Sequence, residues 1–293
     1  MLSSDIITRF RFSSGKTFRI QDVDPADTYG LDIEKDEAKA LLSAGTKRLA
    51  ELQERLYAED RWAILIILQA IDAAGKDSVI KHVMSGVNPQ GCEVHSFKVP
   101  SPQELDHDYL WRSAMVLPSR GRVGIFNRSY YEEVLVVRVH PELLAREKLP
   151  PQLIRPDVWE ERFEDIVSFE QYLAHNGIVL LKFFLHVSKD EQRRRLLKRI
   201  EDPNKRWKFS PSDIEERRLW DRYMQAYEDM IRHTAKDAAP WHVVPADHKW
   251  FTRMVVAATI VQKLEELNPK YPELDASIEQ LERARLALMS EEP

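Results

Sequence analysis

Trp62-Ala-Ile-Leu-Ile-Ile-Leu68 runs directly into Gln69-Ala-Ile-Asp-Ala-Ala-Gly-Lys-Asp-Ser78, and these two stretches together decide the fold. The first is a continuous apolar run rich in β-branched residues, with no polar alternation. It predicts a strand buried on both faces, as in a parallel sheet covered by helices. The second is close to the pattern G-x-x-x-x-G-K-[ST], a strand-to-helix turn, and the helical residues after it run to about Met84. Backbone amides of such a turn and the positive end of its helix form an anion cradle, into which the lysine reaches. Two positions depart from the pattern. Ala70 stands for the first glycine, and Asp77 holds the usual Ser/Thr position with Ser78 one residue later. Asp72 and Asp77 put carboxylates beside the loop, where they would hold Mg²⁺ directly or through water.

Working outward, the same punctuation repeats. Leu41, Leu42, Leu49, Leu52 and Leu56 recur at helical spacing before the loop strand. Further strands are expected at Glu93–Val99, Arg122–Phe126, Ile178–Val187 and Trp241–Pro245, with shorter ones near Thr8–Phe12 and Thr17–Ile20 in a polar arm. Helix starts of capping-box type stand at Ser101–Glu104, Ser129–Glu132 and Ser188–Glu191, with a close variant at Ser210–Asp213. Strands alternating with helices predict one α/β domain with a parallel, doubly wound sheet. No repeat, low-complexity tract or dividing linker interrupts it.

The chain has 293 residues, 43% hydrophobic and 31% charged, with net charge −5. That balance argues against a general nucleic-acid coat. Cys92 is the only cysteine, so neither an intrachain disulfide nor a cysteine-rich zinc site can form. The apolar run Ala63–Leu68 is too short to cross a bilayer, and the start of the chain lacks an apolar stretch of signal-peptide length. A soluble, cytoplasmic protein without a membrane partner is expected.

Arg122-Val-Gly-Ile-Phe-Asn-Arg-Ser-Tyr-Tyr-Glu-Glu133 places Asn127 and Arg128 at the end of a second buried strand. Ligands of open α/β sheets bind beyond the carboxyl ends of strands, so both should face the loop. Asn127 offers a neutral carbonyl and cannot serve as a base. Glu132 is assigned to the capping box. Glu133 and Arg138 have no such local duty, and the bland alternative for both is a solvated helix face. Between Arg193 and Lys208 stand eight basic residues and two acidic ones, centred on the turn Asp202-Pro-Asn204. This reads as helix, turn, helix: a lid, which facing a phosphate loop becomes an electrostatic clamp. Trp220, Tyr223 and Tyr227 recur at helical spacing and read as core. The nine histidines form no metal-ligand spacing, and no G-x-S-x-G elbow occurs.

With these residues in place, the chain resembles the family-2 polyphosphate kinases, class III, from about residue 35 to 265. The blocks that carry the resemblance are residues 69–77, Val87-Asn-Pro-Gln-Gly91, Ser96-Phe-Lys-Val-Pro100, His107-Asp-Tyr-Leu-Trp-Arg112, Phe126-Asn-Arg-Ser129, the run 131–140, Leu181-Lys-Phe-Phe-Leu-His186 and Lys205-Arg-Trp-Lys-Phe209. The resemblance implies a phosphate-loop kinase fold: three α/β/α layers, a parallel sheet and a helical lid. It implies one domain over 1–293, with an N-terminal arm (1–35), a lid (189–215) and a C-terminal helical tail (270–293). The implied activity is transfer of phosphoryl groups from inorganic polyphosphate to AMP and ADP, and to guanine nucleotides, with Mg²⁺ or alternatively Mn²⁺. Carried over by motif, Asp72, Lys76, Asn127, Arg128 and Glu133 form the catalytic set. Ala73, Ala74, Gly75, Asp77, Ser78, Lys81, Arg138, Arg199, Lys205 and Lys208 form the phosphate- and nucleotide-binding set, with Asp72 and Asp77 as metal ligands. A homo-oligomer, dimer or tetramer, and no nucleic-acid partner are implied. The competing readings are an ATP-dependent nucleoside monophosphate kinase and a non-catalytic polyanion-binding module.

Overall fold

Ala63–Gln69 forms a strand buried at every position, because helices cover both of its faces. In the computed structural model, which describes residues 4–274 and 276–290, this strand is the second of six. They are β1 (Arg11–Phe12), β2 (Ala63–Gln69), β3 (Cys92–Ser96), β4 (Val123–Asn127), β5 (Ile178–His186) and β6 (Trp241–Pro245). The helices are α1 (Ser4–Arg9), α2 (Lys35–Glu59), α3 (Lys76–Val83), α4 (Trp111–Ala114), α5 (Val158–His175), α6 (Lys189–Glu201), α7 (Ser212–Arg218), α8 (Trp220–Thr234), α9 (Lys249–Leu267) and α10 (Ile278–Ser290).

The sheet runs β1-β6-β5-β2-β4-β3. β2 pairs in parallel with both neighbours, Leu68 standing opposite Asn127 of β4 and Phe183 of β5. After β2 the chain builds β3 and β4 on one side, then crosses to build β5 and β6 on the other. The carboxyl end of β2 is therefore the switch point of the sheet, where ligands of such folds bind. Helices α2, α3 and α9 pack together on one face, and α5 packs with α8 on the other. The expected aromatic stripe is core: Trp220, Tyr223 and Tyr227 are buried.

Three expectations need correction. The sheet is mixed, because β1 is antiparallel to β6. The arm segment near Thr8–Phe12 is helix at Thr8 and Arg9, turns at Phe10 and is strand only at Arg11 and Phe12. Thr17–Ile20 is no strand; Phe18 instead closes a turn onto the Gly15 carbonyl and packs edge-on against Phe12. Residues 1–3 of the expected arm, and 275 and 291–293 of the expected tail, lie outside the described residues. Within the described tail, every residue of α10 is exposed. No helix among the described residues is long and apolar enough to cross a membrane.

A buried ion pair anchors the segment that follows β4. Lys182 of β5 donates to Glu170 of α5 at 2.6 Å, to the Tyr131 hydroxyl at 2.9 Å and to the Thr234 carbonyl at 2.9 Å. Glu170 also accepts from the hydroxyls of Tyr130 and Tyr131. Every charge in this apolar setting is thus hydrogen-bonded, the condition for burying one. The two tyrosines follow Arg128 and Ser129 in sequence, so the network fixes the floor beneath the β4 loop.

Candidate active site

In the loop after β2 the carbonyls of Asp72, Ala73 and Ala74 are held by side chains of α6. Arg195 of α6, buried and ion-paired to Glu191 at 2.7 Å, donates to the carbonyls of Ala73 (3.2 Å) and Ala74 (2.5 Å). Its other terminal nitrogen donates to the carbonyls of Ala246 and Asp247, tying the loop to the segment before α9. The Gln192 amide donates to the Asp72 carbonyl at 3.1 Å. In a trans peptide the amide opposes the carbonyl, so holding the Asp72 and Ala74 carbonyls turns the Ala73 and Gly75 amides away from α6, while the Ala74 amide is taken by the Ile71 carbonyl at 3.3 Å. Gly75 sits at φ +117°, a conformation that glycine alone adopts without strain, immediately before α3. The first-turn amides of α3 have no intrahelical acceptor and stand ready for an anion.

Lys76 opens α3 and is 8% exposed, its Nζ donating to the Ala70 carbonyl at 2.6 Å. Burial, helped by the nearby Arg128, pushes its ammonium down to about 8, against the pull of Asp72, Glu132 and Asp77. Arg128 arrives from the end of β4, where its amide bonds the Leu68 carbonyl and its backbone turns left-handed at φ +65°. A strained arginine backbone held by surrounding structure is a feature that clusters at functional sites. Its guanidinium bridges two carboxylates, Asp72 at 2.5 Å and Glu132 at 2.9 Å. Glu132 therefore does not close the expected capping box. Ser129 accepts from the Tyr131 amide and lies 3.0 Å from the Gln69 side chain, while the i,i+4 spacing hands Glu132 to Arg128.

Burial works against the charge on Asp72, but Arg128, Lys76 and Arg199 outweigh it and hold the carboxyl below its usual range. Asp77 is likewise held down against its burial, by Lys208 at 3.0 Å and the Asn127 amide at 3.0 Å. Asp72 and Asp77 thus stay ionised, and with the Asn127 carbonyl they offer hard oxygen donors. That donor set suits a magnesium-type ion, which keeps several waters and shares substrate phosphates. No group of three or more acidic, histidine or cysteine side chains is placed to hold a metal among the described residues.

The remaining expected residues divide. Lys208 reaches the loop, and Arg199 is ion-paired with Asp213 at 3.7 Å while near enough to affect Asp72. Lys205 instead pairs with Asp202 within its own turn. Arg138 pairs with Asp229 of α8 at 2.8 Å, and Lys81 is exposed on the last turn of α3. Ser78 accepts from Arg253 at 2.7 Å. Glu133 is no solvated face: it is 5% exposed, in a π-helical turn over Glu133–Val137, and bonded to Arg162 at 3.0 Å. Burial and the adjacent Glu147 push its carboxyl up to about 8, against the pull of Arg162.

Arg128, Glu132 and Glu133 form one wall of a cavity of about 540 Å³ that opens beside the loop. Phe97, Val99 and Leu143 also line it. Sequence reasoning missed this cavity, along with Arg195, Gln192 and Arg253. Only the Glu191–Arg195 spacing of four could have flagged one of them, as a helix ion pair.

A lysine-bearing turn at the switch point of a largely parallel sheet, answered by an arginine from the next strand end, is the architecture of the phosphate-loop kinases. The chain belongs to the polyphosphate kinase 2 family, whose profile, described as "Polyphosphate kinase 2 (PPK2)", matches residues 32–272. It is 52% identical over 240 residues to an ADP-polyphosphate phosphotransferase of Rhodopseudomonas palustris, covering 82% of this chain and 83% of that one. It is 46% identical over 273 residues to an AMP/ADP-polyphosphate phosphotransferase of Meiothermus ruber, covering 93% and 98%. The crystal structure of polyphosphate kinase 2 from Arthrobacter aurescens superimposes with a TM-score of 0.87 at 40% identity, covering 96% of this chain and 95% of that one.

Proposed function

We propose that this protein transfers phosphoryl groups, reversibly, from inorganic polyphosphate to AMP and ADP, with guanine nucleotides as further acceptors. The observation that carries this reading is Arg128, which stands between the loop carrying Lys76 and the wall of a nucleotide-sized cavity. The donor chain lies over the loop amides and Lys76. The acceptor nucleotide occupies the cavity with its phosphate toward Arg128. An acceptor phosphate oxygen then attacks the terminal phosphorus of the donor, and the bond to the next phosphate breaks.

That oxygen is already ionised near neutral pH, so a neutral Asn127 is no handicap. What must be overcome is repulsion between two polyanions, and Lys76, Arg128 and Arg199 supply the opposing charge. Asp72 and Asp77 would hold Mg²⁺, or Mn²⁺, which adds charge neutralisation when bound. Glu133 shapes the cavity wall, and residues 189–215 act as the lid. Class III membership, a cytoplasmic location and a homo-oligomeric state, dimer or tetramer, belong to the same reading.

The test is a transfer assay with AMP, ADP, GMP and GDP, each offered polyphosphate or ATP with Mg²⁺. ATP formation from ADP and polyphosphate supports the reading. Transfer from ATP alone makes the protein a nucleoside monophosphate kinase, and salt-sensitive polyphosphate binding without turnover makes it a binding module.

A further inference from the structure

Helices α6 and α9 carry a second group of cations, none of which lines the acceptor cavity. Arg195 is fully used by Glu191 and four backbone carbonyls. Lys198 follows it by one helical turn on the same face of α6 and is exposed. α9 begins at Lys249, two residues past the Asp247 carbonyl that Arg195 holds. Arg253 lies one turn further along α9, donating from one terminal nitrogen to Ser78 while its Nε is buried without a partner.

These groups crowd one another. Burial, then Arg195, Arg253 and Lys198, depress the Lys249 ammonium, and burial and Arg195 depress Arg253. Glu191, the one carboxylate that offsets this on Lys249, is already held by Arg194 and Arg195. Like charges gathered this closely oppose folding unless an anion offsets them. None of Lys198, Lys249 and Arg253 lines the acceptor cavity, yet Arg253 touches Ser78 in the first turn after the loop.

We infer that Lys198, Lys249 and Arg253 form an outer station for polyphosphate, gripping phosphates of the donor beyond those held by the loop and so favouring long chains. This rests on polyphosphate being the donor. A nucleotide acceptor held in the cavity does not meet these three residues, which are absent from its lining.

The experiment compares initial rates of ATP formation from ADP using long-chain polyphosphate and the shortest polyphosphate that the wild type turns over. In Lys198→Ala/Lys249→Ala, the KM for the long chain rises about tenfold, the loss expected from two solvent-facing charge contacts. The KM for the short donor and kcat on both stay at wild-type values. The salt dependence of the long-chain KM becomes shallower, as fewer counterions are displaced. Lys198→Arg/Lys249→Arg restores the wild-type ratio. An unchanged long-chain KM, or an equal rise for both donors, overturns the station. A wild type that makes no ATP from either donor overturns the polyphosphate reading itself, and the two failures are thus told apart.

Discussion

Arg128 and Asp72, 56 residues apart, meet at 2.5 Å, and that contact joins the end of β4 to the loop after β2. Because Arg128 also holds Glu132, its guanidinium stands fixed between loop and cavity. Pre-positioned charge of this kind is worth about 10²–10³-fold in rate when removed. Lys76→Ala and Arg128→Ala should each leave less than about a tenth of wild-type ATP formation from ADP and polyphosphate. Unchanged far-ultraviolet circular dichroism would show that the fold survives; a variant above that rate removes its residue from the catalytic set.

Lys76 loses its proton near pH 8, well below an ordinary lysine. Its charge, and with it the grip on phosphate, is present below that pH and lost above it. The kcat/KM for polyphosphate, which reports the free enzyme, should therefore fall as pH rises through about 8. In Lys76→Arg this limb should move to higher pH, since guanidinium stays charged. A limb that remains in place would assign it to another group.

In the proposed lid, Arg199→Ala combined with Lys205→Ala should raise the KM for polyphosphate. Only Arg199 is close enough to influence Asp72, whereas Lys205 is engaged by Asp202. Arg199→Ala alone should accordingly account for the whole rise. Saturation curves identical to wild type would take Arg199 out of phosphate binding.

Burial and the neighbouring Glu147 push the Glu133 carboxyl up from its usual 4.5 to about 8. Between those values the native state binds more protons, so its contribution to stability falls as pH rises. Glu133→Gln, which cannot ionise, should flatten the decline of Tm between pH 5 and 8. Equal slopes for variant and wild type would show that Glu133 is charged throughout.

How much of this was legible in the sequence depends on how local the signal is. The strand at 62–68 could be read because burial on both faces leaves every position apolar, and the loop because strand, turn and helix are contiguous. The ends of β3 to β6 came within a few residues for the same reason. Ser129 and Glu132 misled because spacings of three and four overlap: one glutamate serves a capping box or an arginine four residues back. Arg195 was hidden for a different reason. Its acceptors are mostly backbone carbonyls, which carry no residue identity, so apart from Glu191 four residues back nothing separates it from the exposed Arg193 and Arg194. The cavity was illegible because its walls come from three separate segments, and the π-helical turn at Glu133–Val137 reads as an ordinary apolar run.

The two-residue strand β1 has an effect out of proportion to its length. It lies along the outer side of β6, where the Phe10 carbonyl accepts from the Val243 amide at 2.9 Å. Without it, a strand buried at every position would become a bare margin, open to pairing with any extended chain. Ser4–Phe12 thus shield β6 from edge-to-edge pairing, and removing them should cost solubility before it costs catalysis.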